Sequence, residues 1–113
     1  MKPHLLAEQS LDFSVNIVHL CDSIERYAVL KNQLLRSATS IGANIHEGIY
    51  ASSGGDFIAK YQISLKECNE TEYWLKIMER AGLAQPEPIR QLLQQCGKIR
   101  RMLIASITRV KAG

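Results

Sequence analysis

The chain has 113 residues, which suits a single domain, and 46% of them are hydrophobic, enough for a full core. No segment approaches the roughly 20 apolar residues needed to cross a bilayer, and the opening MKPHLLAEQSLDF holds one lysine and no continuous apolar run, so neither a membrane protein nor a secretory leader is expected. Three widely spaced cysteines, Cys21, Cys68 and Cys96, form no CxxC pair; this excludes a disulfide framework and a zinc knuckle and points to a reducing cytoplasm.

Net charge is +3 but unevenly spread. Residues 1–56 carry four bases against six acids, a net −2, whereas Arg90, Lys98, Arg100, Arg101, Arg109 and Lys111 follow Ile89 with no acid among them. Such asymmetry suits a polyanionic partner. The same residues would also complement the dipole of a terminal helix.

Sustained two-residue alternation is absent, so the expected class is all-α. A first helix over about 5–25 stacks Leu6, Phe13, Ile17, Leu20, Cys21 and Ile24 at helical spacing. A second, about 28–50, aligns Leu30, Leu34, Ala38, Ile41, Ile45 and Gly48. SSGGDF interrupts the pattern, with Ser53 as a cap ahead of Asp56. A third helix spans about 55–81, roughly 40 Å at 1.5 Å per residue. AGLAQPEP ends it: Gly82 suits the left-handed position after a helix, and Pro86 suits the first turn of the next. The fourth, about 87–110, stacks Ile89, Leu92, Leu93, Cys96, Ile99, Leu103, Ile107 and Val110. Short connections favour antiparallel neighbours, so residues 1–113 are expected to form one antiparallel up-down-up-down four-helix bundle.

Polar residues on apolar faces carry further expectations. The second helix has a polar stripe of Gln33, Ser37, Ser40, Asn44 and Glu47 beside its core face, and its small residues Ser37, Ala38, Ser40, Gly42 and Ala43 would admit a close neighbour. Close packing would offset the roughly 0.5–1 kcal/mol that Gly42 costs mid-helix. The third helix is apolar on a second side, where Ile63, Trp74 and Ile77 interleave with Glu67 and Glu70. That side is either an interface with a second copy or a flank whose tryptophan folds back over its own subunit. Leu11, Val15 and Val18 make a weaker second patch on the first helix. Arg100 falls inside the apolar stripe of the fourth helix, so it either pairs with Glu72 or Glu47 or snorkels to the surface. Ser40, Asn44, Glu47, Glu72 and Arg100 form the expected helix-packing polar network.

SIGANIHEG raises the question of chemistry. His46 and Glu47 are adjacent and diverge by about 100° on a helix, so they cannot share a ligand. There is no HExxH, no pair of ExxH motifs, no phosphate loop and no nucleophile elbow. No catalytic residue, metal or cofactor is expected.

The run from Gln33 to Leu83, through RSATSIGANIHEG, DFIAKYQ, Lys66-Glu67 and ETEYWL, resembles the bacterial four-helix-bundle family of ribosomal RNA intervening-sequence proteins. That superfamily also includes the accessory variability determinant of diversity-generating retroelements. The resemblance implies a ring-like homo-oligomer, commonly a pentamer, without enzymatic activity, and with RNA or a reverse transcriptase as partner. It gives Arg90, Lys98, Arg101, Arg109 and Lys111 the role of a phosphate-binding surface, weakly selective because no aromatics interleave them. These features favour an RNA-associated adaptor. A protein-interaction scaffold without nucleic acid is the second reading. An enzyme or metal bundle built on Asn44, Glu47, Glu67 and Glu70 is the third.

Overall fold

A computed structural model describes residues 3–113, with side chains from Leu5 onward. It has four helices and, among the described residues, no strand: α1 Pro3–Asp22, α2 Ala28–Ile49, α3 Gly54–Ala81 and α4 Pro86–Ala112. The bundle measures 45 × 21 × 19 Å. Each helix packs on the next and α4 closes against α1, while the diagonal pairs stay apart.

The core is built mainly of the stripes read on α1, α2 and α4, completed on α3 by Tyr61, Cys68, Leu75 and Met78. Leu30, Leu93 and Val110 are only half-buried. Phe13, Ile17, Leu34, Ile41, Leu75, Met78, Ile89 and Leu103 are fully enclosed. Fully burying such a side chain contributes about 1.5–3 kcal/mol, so these stripes supply the main driving force. The partner numbers across α2 and α3 run in opposite senses: Ser37 meets Thr71, Ile41 meets Ser64 and Glu47 meets Lys60. Across α3 and α4 the same holds for Glu72 with Arg100 and Glu79 with Arg90.

The helix ends follow local chemistry. Ser53 Oγ accepts from the Asp56 N–H at 3.1 Å and caps α3. Gly82 ends it at φ 67°, where its N–H and that of Leu83 reach the carbonyls of Glu79 and Met78. Pro86 opens α4, one residue earlier than expected, and α4 runs on to Ala112 rather than 110. The first helix stops at Asp22, not near 25: Ser23 and Ile24 close tight turns onto Leu20 and Cys21, and Tyr27 then takes a left-handed φ of 64°. Ile24 is nevertheless buried, so the core stripe outlasts the helix.

Candidate nucleic-acid interface

The fourth helix is amphipathic, and its core face fixes where its cations go. Lys98, Arg101, Arg109 and Lys111 all project to solvent. Arg90 is exposed as well, but its Nε donates to Glu79 Oε2 at 3.2 Å, so the expected five-residue set loses one free charge. Gly97 lies buried beneath the tips of Arg100 and Arg101, whose terminal nitrogens come within 3.6 and 3.5 Å of the position a Cβ would take. Two guanidinium groups thus converge on one turn of α4.

The third helix adds cations that the sequence reading passed over. Four of its acids are compensated within the chain. Arg36 bridges Glu67, at 3.3 Å, and Glu70; Arg100 takes Glu72 at 3.5 Å; Arg90 takes Glu79. Lys66, Lys76 and Arg80 are exposed and have no acid within ion-pair distance among the described residues. Lys66, Tyr73 and Arg80 recur every seventh position and therefore share one side of α3, with Tyr73 59% exposed. This spacing was present in the sequence, but the apolar second face of the same helix masked it.

That second face is largely used within the subunit. Trp74 is half-buried, packs against the core, and its indole N–H donates to Glu70 Oε2 at 3.1 Å. Trp74 is thus partly covered by its own chain. Ile77 is half-buried, Glu67 and Glu70 are engaged by Arg36, and Ile63 alone of the five expected interface residues is a strongly exposed apolar group. The Trp74 N–H, and after it Arg36, hold the Glu70 carboxyl below its ordinary range. The larger open apolar stripe lies on α1, where Leu11, Val15 and Val18 are 45–55% exposed.

The expected polar network does not exist as one unit. Ser40 Oγ donates to the Arg36 carbonyl and Asn44 Nδ2 to the Ser40 carbonyl, both along their own helix. Glu47 pairs with Lys60 at 3.2 Å, and Glu72 pairs with Arg100. Besides these ion pairs, α2 and α3 are joined by hydroxyls buried in the core. Thr71 Oγ1 donates to Ser37 Oγ at 2.9 Å, and Ser64 Oγ donates to the Ile41 carbonyl at 2.8 Å. Ser10 packs on Gly42, where an added Cβ would sit 3.2 Å from its Oγ. Serine and threonine carry no periodic signal of their own, so only Ser37 stood out in the sequence.

The NIHEG stretch resolves into contacts. His46 Nδ1 lies 2.8 Å from the Gly42 carbonyl and donates to it, leaving Glu47 to Lys60. No group of three or more His, Cys, Asp or Glu side chains converges to hold a metal among the described residues. Cys96 Sγ donates to the Cys68 carbonyl at 3.6 Å, and the neighbouring Cys68 side chain, followed by burial, pushes the Cys96 thiol up.

The described residues thus form an all-α, four-helix bundle whose unpaired cations lie on its outer surface. The family model for 23S rRNA-intervening sequence proteins matches residues 4–105, and the chain belongs to that family. It is also similar to a crystal structure from Bacteroides thetaiotaomicron VPI-5482, described as a protein with unknown function from the S23 ribosomal protein family. The two are 40% identical with a TM-score of 0.85, over 90% of this chain and 97% of the other. No curated protein matches.

Proposed function

We propose that this chain is a non-enzymatic, antiparallel up-down-up-down bundle that self-associates and binds RNA as a ribonucleoprotein adaptor in the cytoplasm. The observation that carries the reading is the sorting of charge on α3 and α4. Their paired acids consume Arg36, Arg90 and Arg100, and Lys66, Lys76, Arg80, Lys98, Arg101, Arg109 and Lys111 are left without an ion pair among the described residues. The opposing register across α2–α3 and α3–α4 supports the up-down topology. The family, defined by proteins of 23S rRNA intervening sequences, supports RNA as the polyanion. The exposed α1 stripe supports self-association, for which the resemblance implies a ring-like pentamer. The resemblance to the retroelement protein would make a reverse transcriptase a further partner.

Titration of a long RNA tests the reading. Binding is expected at low salt and should weaken steeply as salt rises, each phosphate contact on a single strand contributing a slope of about −0.7. Charge reversal at Arg101 and Arg109 should weaken binding and flatten the slope. Failure to bind at low salt would leave the scaffold reading in place, and sedimentation at micromolar concentration would then decide the self-association on its own.

A further inference from the structure

The seam between α1 and α4 holds a cavity of about 460 Å³, walled by Asn16, His19, Gln91 and Gln95 over a floor that includes Leu20 and Leu92. A second hollow of about 380 Å³ shares Asn16, Gln91 and Gln95 with it and reaches Lys98. We propose that this groove is a nucleobase site, in which an unpaired adenine of RNA is held by Asn16 and Gln95 and its phosphate by Lys98. The inference rests on the RNA reading above and extends it from the charged flank to a site that reads a base.

The amide geometry carries the argument. Asn16 Nδ2 donates to Gln95 Oε1 at 3.2 Å. This bond leaves the Gln95 Nε2 hydrogens and the Asn16 Oδ1 lone pairs without a hydrogen-bond partner among the described residues. One amide donor and one amide acceptor thus remain at the groove wall, one from each helix. The Hoogsteen edge of adenine offers the complement, an N7 acceptor beside the N6 amino donor. The apolar floor suits the ring, and the volume lies in the range of small-ligand sites. Among the described residues no carboxylate lines either hollow, so nothing there repels a phosphate, and Lys98 lines the second. An unpaired base is required because a base in an A-form duplex keeps its Hoogsteen edge in a groove that side chains cannot read.

The test compares a short fluorescent oligoadenylate with an RNA duplex carrying the same number of phosphates. The oligoadenylate should bind more tightly. Asn16→Leu or Gln95→Leu should weaken it about tenfold, the effect of losing one good base contact, with an unchanged salt slope. Lys98→Glu should instead flatten the slope for both RNAs. Adenosine monophosphate should shift the His19 ring signals in the NMR spectrum of the unsubstituted protein, a readout that needs no variant. Equal affinity for strand and duplex with no effect of Gln95→Leu would overturn the groove and leave the basic surface standing. Failure of every RNA to bind at low salt would overturn both.

Discussion

Gly48 offers a sharp test of how α2 and α3 fit. A Cβ built there would sit 2.6 Å from Tyr61 Cε1 and 2.8 Å from Cδ1, against a normal carbon separation of about 3.5–4.0 Å. The ring cannot easily yield, because Tyr61 is 1% exposed and its centroid lies 4.0 Å from that of Phe57. Helix propensity alone would make Gly48→Ala stabilising by about 0.8–1.0 kcal/mol, while overpacking a closed core costs about 1–3 kcal/mol. The net expectation is a loss of about 1 kcal/mol, reaching about 2, or roughly 4–8 °C in Tm for a domain of this size. Gly97→Ala should move the other way, by about 0.5–1 kcal/mol, since its added carbon would meet only the tips of Arg100 and Arg101 at 3.6 and 3.5 Å. Thermal and denaturant unfolding followed by circular dichroism would measure both. In a Tyr61→Leu background the cost of Gly48→Ala should shrink, with a coupling above about 0.5 kcal/mol. A Gly48→Ala protein as stable as the parent, or a cost unchanged without the ring, would refute the steric account.

The buried hydroxyl pair gives a second expectation. Ser37→Ala strands the Thr71 hydroxyl and should cost about 1–3 kcal/mol, whereas Ser37→Ala with Thr71→Val should recover most of it, measured by the same denaturation. Glu70 gives a pH dependence. Its carboxyl is held low in the folded state, so its contribution is present above the unfolded value near 4.5 and is lost as pH falls through the depressed one. Glu70→Gln should therefore lower stability at neutral pH and match the parent in strong acid, and the fluorescence of Trp74, the single tryptophan, would report it. A difference that persists in acid would show that Glu70 acts through packing instead.

The four helices were legible because their stripes repeat at helical spacing over many turns, and because Ser53, Gly82 and Pro86 punctuate them. The end of α1 was not, since DSIERYAV contains neither glycine nor proline and Tyr27 adopts the left-handed conformation without a residue type that announces it. An acid partner for Arg100 could be expected because a charge inside an apolar stripe needs one, and of the two acids on offer, Glu72 and Glu47, it is Glu72 that lies 3.5 Å away. Arg90 looked free because its acid lies on another helix. The link from Trp74 to Glu70 was not legible because periodicity shows where a side chain departs from the helix, not how far it bends back. The α1–α4 groove was invisible for a related reason: its amides come from segments nearly eighty residues apart and contrast with nothing around them.

The seams of this bundle are unequally fastened. Between α2 and α3 run two core hydroxyl links and three ion pairs, and between α3 and α4 two further ion pairs. The first and last helices share one side-chain hydrogen bond among the described residues, Asn16 to Gln95. If the domain breathes, it does so there, with α2 and α3 acting as a stiff spine and α1 swinging like a shutter. Amide protons of α1 should then exchange ahead of those in α3, and whatever enters that slot would latch the shutter.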